Sequence, residues 1–188
     1  MNTRITTALL ACAALAPLAA HAESPSYSYV EGGYVLTDID GIGKDADGFL
    51  LRGSIEVAGD FFLFASYLDQ GISGIDLKQY GVGGGYAWSM TDTTDLYGKV
   101  GYVRAEAELG GFGVDDDGYS LGIGIRSFVT KALELEAAVT YVDLSDSGDD
   151  TTFGAGARWY FTEHFALGVE AELGDDATSY GIGLRWSF

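Results

Sequence analysis

The sequence predicts an all-β fold: a single antiparallel, up-and-down transmembrane β-barrel of about ten strands, with eight as the alternative. Three observations predict it. After residue 22 no helical period of any length occurs, and apolar residues alternate with small or polar ones in segments of about ten residues. Gly/Asp-rich stretches punctuate those segments. A chain that is 47 % hydrophobic yet carries a net charge of −18 must also hold its two kinds of residue apart, and alternation gives each one face of a sheet.

The first 22 residues stand outside this pattern. Arg4 gives a positive start, Ile5 to Leu18 is almost continuously apolar, and Ala20-His21-Ala22 is an A-x-A cleavage site before Glu23. We therefore expect a cleaved signal peptide over 1–22 and one barrel domain over 23–188. The apolar stretch is too short and too poorly flanked for a spanning helix. Leu9-Leu10-Ala11 before Cys12 offers a competing lipoprotein reading, which would cut the apolar run in its middle. Cleavage after Ala22 removes the only cysteine, so the mature chain forms no internal disulfide although its compartment permits one. It also leaves nine basic against 28 acidic side chains, a net charge of −19. No basic face remains to meet phosphates, which excludes nucleic acid as a partner. Twelve tyrosines and ten phenylalanines argue against disorder.

The strands follow in order as 26–36, 48–57, 61–69, 77–89, 95–107, 118–128, 132–144, 151–161, 165–174 and 178–188. In the second, Phe49, Leu51, Ile55 and Val57 share one face, and Leu50, Arg52, Ser54 and Glu56 the other. The register of the third stays open, because Phe61 to Phe64 are all apolar. In the sixth, Tyr119, Leu121, Ile123 and Ile125 oppose Ser120, Gly122, Gly124 and Arg126. The seventh puts Leu133, Leu135, Val139 and Tyr141 opposite Glu134, Glu136 and Thr140. The last puts Tyr180, Ile182, Leu184, Trp186 and Phe188 opposite Gly181, Gly183, Arg185 and Ser187.

Four connections, 58–60, 90–94, 129–131 and 162–164, are expected to be short. Five others, around 37–47, 70–76, 108–117, 145–150 and 175–177, are expected to be longer and acidic, forming the extracellular loops. Both termini then lie on the short-turn, periplasmic side. A soluble lipocalin-like barrel would turn its polar face outward and its apolar face inward. Here the second face holds Arg, Lys, Glu, Ser and Gly, which makes a poor dry core and a good wet lumen. Tyr86, Trp88, Trp159, Phe161, Phe165 and Trp186 read as the periplasmic aromatic girdle of a lipid-facing surface.

Tyr180-Gly181-Ile182-Gly183-Leu184-Arg185-Trp186-Ser187-Phe188, an alternating strand with a terminal phenylalanine, resembles the signature by which the outer-membrane assembly machinery recognises its substrates. With Tyr29-Val30-Glu31-Gly32-Gly33-Tyr34 and Tyr80-Gly81-Val82-Gly83-Gly84-Gly85-Tyr86, the chain resembles the small Gram-negative outer-membrane barrels of the OmpA/OmpX-like superfamily. Over its mature length it is most similar to a small-barrel family first discussed in plant-pathogenic bacteria as a possible immunity activator. The resemblance implies a cell outer-membrane location, with outer-membrane lipid, lipopolysaccharide and the assembly machinery as partners. It makes Tyr180, Trp186 and Phe188 part of the assembly signal. The barrel is expected to be a monomer.

Catalytic candidates are few. The mature histidine is His164, in a short periplasmic turn with no serine or cysteine nucleophile beside it in sequence. We expect no enzyme and no cofactor. The lumen is better stocked, with Glu31, Arg52, Glu56, Lys99, Arg126, Glu134, Glu136, Arg158, Glu170, Glu172 and Arg185 facing inward. A ten-stranded cylinder at ~4.8 Å strand spacing and ~40° tilt has a backbone radius on the order of 10 Å. Such inward charges can nearly meet and are expected to pair, Arg126, Arg158 and Arg185 lying at one depth with Glu134 and Glu136. The alternative is a narrow porin-like channel for small solutes or ions.

Aspartates crowd the expected loops at 38, 40, 45, 47, 115–117, 146, 149, 150, 175 and 176, and carboxylates suit Ca²⁺ or Mg²⁺. Asp38-Ile39-Asp40-Gly41 starts like a calcium loop, but its twelfth position is Phe49, which excludes an EF-hand. Asp115, Asp116 and Asp117 are the candidate metal ligands, against a reading of plain solvated loops. Lys78 and Arg104 are expected outward near the outer rim, within reach of lipopolysaccharide phosphates.

Overall fold

The computed structural model describes residues 24–41 and 44–188. The expected signal peptide over 1–22, with Cys12 and the cleavage junction at Glu23, lies outside the described residues. Ten strands follow one another: β1 (Tyr29–Ile39), β2 (Asp45–Ala58), β3 (Phe61–Ile72), β4 (Ile75–Thr91), β5 (Thr94–Leu109), β6 (Phe112–Phe128), β7 (Leu133–Leu144), β8 (Gly148–Tyr160), β9 (Phe165–Leu173) and β10 (Ala177–Ser187). Each pairs antiparallel with its sequence neighbours, and β1 pairs with β10 from Tyr29↔Ser187 to Ile39↔Ala177, closing the barrel. Ten strands, not eight, close the sheet.

The outward face is apolar through the middle of the wall. Phe49, Leu51 and Ile55 on β2, Val82 on β4, Leu121 and Ile123 on β6 and Ile182 and Leu184 on β10 all stand exposed. In water such a surface would be an aggregation hazard; in hydrocarbon it is the solvated one. Trp88, Phe161, Phe165 and Trp186 are exposed at the strand ends beside the termini, and Tyr34, Tyr80, Tyr102, Tyr119 and Tyr180 toward the opposite ends. Tyrosine hydroxyls donate to carboxylates beside them: Tyr34 to Asp47 at 2.6 Å, Tyr67 to Asp69 at 2.8 Å and Tyr119 to Asp143 at 2.8 Å. Ring and carboxylate together mark where lipid gives way to water.

The register left open at Phe61–Phe64 is settled by pairing. Phe61 lies opposite outward Tyr86, and Phe62 opposite Gly85. Phe61 and Leu63 therefore face out, at 56 % and 53 % exposure, while Phe62 is buried in the lumen.

The loops depart from expectation. The connections at the end away from the termini are 40–44, 73–74, 110–111, 145–147 and 174–176, and much of what read as long acidic loop is strand. Asp115, Asp116 and Asp117 pair with Glu106, Ala105 and Arg104 on a β5–β6 hairpin that rises clear of the lipid band. Above that band both strand faces meet water, so alternation no longer has to be apolar against polar, and a polar run there mimics a loop. Gly110 and Gly111, at φ 59° and 87°, make the two-residue turn such a hairpin needs.

Candidate functional site

The lumen floor at the end beside the termini holds the densest chemistry. Strand register alone sets opposite charges side by side: Glu31 faces Arg52 on β2 and Arg185 on β10, Arg126 faces Glu136, and Glu134 faces Arg158. Directly opposed residues on one face are close enough to bond.

Arg126 donates from Nε and Nη2 to the two oxygens of Glu134, both at 3.0 Å. Arg158 donates to Glu136 at 2.6 Å, to Glu134 at 3.1 Å and to Glu31 at 3.3 Å. Arg185 meets Glu31 at 2.6 Å with its guanidinium 3.7 Å from the Tyr29 ring centroid. Arg52 bridges Glu31 and Glu170, each at 2.5 Å. Tyr160 and Tyr97 donate their hydroxyls to Glu134 at 3.1 Å and Glu136 at 2.6 Å. The result is a continuous chain of charge-assisted bonds from β6 through β7, β8, β9, β10 and β1 to β2. Glu134, Arg126, Arg158 and Arg185 are at most 5 % exposed. Charges so enclosed are tolerable only because they bond to one another, although Arg185 makes one hydrogen bond and its Nη1 makes none.

The structure does not bring every expected lumen charge into this chain. Among the described residues Lys99, Glu56 and Glu172 make no ion pair. Lys99 instead places its ammonium 5.8 Å from the Phe64 ring centroid, and Glu56 accepts the Tyr27 backbone N–H at 2.7 Å. On the neighbouring wall β3, β4 and β5 present mainly Phe62, Phe64, Ala87 and Tyr97, with Asp95 as a buried carboxylate bonded to Ser24.

Asp115, Asp116 and Asp117 lie on a strand and not in a loop. They are consecutive on a strand, so Asp116 points to the side opposite the other two. Asp115 contacts Arg104 at 3.1 Å, and Asp116 accepts the backbone N–H groups of Asp146 and Ser147 at 3.1 and 2.7 Å. Among the described residues no three His, Cys, Asp or Glu side chains are placed to hold a metal ion. Lys78 and Arg104 line an outer groove of about 200 Å³ with Asp76, Glu106, Glu108 and Asp115. His164 is exposed, and its carbonyl accepts the Ser187 N–H at 2.7 Å. Tyr180, Trp186 and Phe188 all face outward, and the Phe188 N–H donates to the Ser28 carbonyl at 3.0 Å across the seam.

The sequence reading missed Asp95, 2 % exposed, and the segment 24–28, of which it merged 26–28 with the first strand. Pro25 was the available signal, since a proline cannot donate to a ladder and marks a strand edge or break.

The family model of the outer membrane protein beta-barrel domain matches residues 5–188. A 22 kDa outer membrane protein of Rhizobium leguminosarum bv. viciae is 28 % identical over 118 residues, 54 % of each chain, so the chain spans about half the length of that relative. The solved NanC porin covers 85 % of this chain and 99 % of its own at 13 % identity and TM-score 0.50. The beta domain of the Bordetella autotransporter BrkA covers 85 % of this chain and 98 % of its own at 12 % identity and TM-score 0.50. At such identities these two solved structures speak for the fold alone.

Proposed function

From the premise that this chain belongs to the outer membrane protein beta-barrel domain family, we propose a non-enzymatic barrel with a structural or surface-interaction role, its lumen held shut by the ion-pair chain. Outer-membrane lipid and lipopolysaccharide are its surroundings in this reading, and the strand ending in Phe188 is what the assembly machinery reads. The single observation that carries it is that the two oxygens of Glu31 are engaged by arginines from different strands, and that Glu134 is gripped at both oxygens by Arg126 of β6 and at one by Arg158 of β8. A pore through that floor would have to break several charge-assisted bonds at once. The crevice beside Arg52 measures about 10 Å³, room for about one water.

A narrow channel is the second reading, favoured by Lys99 and Glu172, which make no ion pair among the described residues and line the lumen above the floor. Planar-bilayer recording separates the two. The purified barrel is expected to show no steady conductance at neutral pH. Steady openings in every insertion would overturn the closed-lumen reading and establish the channel.

A further inference from the structure

The ion-pair chain fills only part of the floor. It runs over β6 to β10, β1 and β2, and leaves the sector of β3, β4 and β5 mainly to aromatic and small side chains, with Asp95 and Lys99 of β5 outside the chain of ion pairs. That sector is completed by a residue of no strand. Tyr27 is 6 % exposed and packs with Phe62, Ala87 and Tyr97, its ring stacked 4.6 Å from Phe62 and edge-on 6.2 Å from Tyr97.

The segment carrying Tyr27 crosses the mouth from the seam, where β1 begins, to the far wall. Ser24 donates toward both oxygens of Asp95 on β5 at 2.9 Å. The Ser26 carbonyl accepts from Arg126 Nη1 on β6 at 3.0 Å, and the Arg126 guanidinium lies 4.7 Å from the Tyr27 ring centroid. The Tyr27 N–H donates to Glu56 on β2 at 2.7 Å. In a ten-stranded ring β6 lies opposite β1, so the strap spans the diameter.

We propose that residues 24–28 are a stopper: a strap that seals the β3–β5 sector of the periplasmic mouth and whose release opens a cation-conducting path with the ion-pair chain intact. The argument rests on the closed-lumen reading above. It follows from what the strap covers. Withdrawing it removes one ring from an aromatic stack and bares Asp95 and Glu56, while leaving the Glu31 and Glu134 bonds in place. The bared path is lined by two carboxylates and Lys99, so it favours cations. The strap is held by hydrogen bonds of its own neutral hydroxyl, carbonyl and amide groups to Asp95, Arg126 and Glu56, and by one buried ring, with no ion pair among the described residues. It is therefore far easier to lift than the arginine network.

The test is bilayer recording of the Tyr27→Ala variant beside the parent, with folding followed by heat-modifiable mobility on gels. A silent parent and a folded Y27A with cation-selective openings are expected. Tyr27→Phe keeps the ring and stays silent. Should Y27A fail to fold, Asp95→Ala frees Ser24 while leaving the stack, and intermittent openings are expected there. A folded Y27A as silent as the parent, or anion-selective openings, would overturn the stopper. A parent that already conducts would sink the closed lumen itself, which is a separable result.

Discussion

Two sectors of one floor solve the same problem by different means. From β6 round to β2 the barrel is filled by arginines and glutamates; from β3 to β5 it is filled by phenylalanine, tyrosine and a strap. The ionic sector is seeded by cross-strand register, because Arg52 and Arg185 are opposed to Glu31, and Arg158 to Glu134, in the ladder. The aromatic sector is specified by volume, because each large ring lies over a strand of glycine. Phe62 covers Gly85, Phe64 covers Gly83 and Gly101, and Tyr97 covers Gly124. The contrast teaches that a small barrel needs no single kind of core. A charge network demands complete pairing, and a ring demands only an empty place opposite it.

The sharpest way to break the comparison is to remove a charge from the first sector. Arg158 binds Glu31, Glu134 and Glu136, so Arg158→Met keeps most of the volume and leaves three glutamates short of a partner. A loss of about 3–5 kcal/mol is expected in chemical unfolding of the refolded barrel. With Arg126→Met added, Glu134 loses both donors of its bidentate bond, and a small cation-selective conductance should appear in bilayers. A double variant as stable and as silent as the parent would show that the network does not close the floor.

The second sector is tested by adding volume instead. A Cβ on Gly124 would stand 2.5 Å from Cζ and Oη of Tyr97. Tyr97 has little freedom to move, since its hydroxyl is bonded to Glu136 and its ring is packed on Tyr27. Gly124→Ala should cost about 1–3 kcal/mol in the same unfolding measurement. Gly154→Ala is the control: a Cβ there meets only Glu172 at 3.7 Å or beyond, and the change should be near neutral. Equal costs at the two positions would deny that the floor is tighter than the lumen above it.

These sectors also show what a sequence reading can reach. Alternation places Arg126, Arg158 and Arg185 inward without any structure, because lipid on the other face makes a slip of one residue prohibitive. It fails where that pressure is absent. At Phe61 to Phe64 both faces are apolar, since β3 feeds rings to the lumen as well as to lipid, and only pairing with β4 decides. At Asp115 to Asp117 both faces are wet, so a strand looks like a loop. At Ser24 to Ser28 a small-polar alternation resembles a strand, and its contacts with Asp95, Arg126 and Glu56 lie 71, 100 and 29 residues away, beyond any local pattern.

The smallest expected effect lies at the water-exposed rim, where neither sector's logic applies. Asp116 accepts the N–H groups of Asp146 and Ser147, tying the β7–β8 turn to the β5–β6 hairpin. Hydrogen bonding by Ser147, foremost, and by the backbone N–H groups of Asp146, Ser147 and Asp117 holds its carboxyl below the usual value of 3.8, against an opposing cost of desolvation. A carboxylate depressed in the folded state stabilises above its unfolded pKa, and the contribution is lost as pH falls through the lower folded value. Protection of the Asp146 and Ser147 amides from hydrogen exchange should therefore be constant from about pH 7 to about pH 5 and fall below about pH 4. Asp116→Asn retains an acceptor oxygen but no charge, so its protection should be weaker and flat with pH. The barrel's global unfolding should not move, because the group is exposed and far from the floor. A parent whose turn amides show no pH dependence would mean that the contact does not persist in solution, and that the hairpin rises from the rim without a tie.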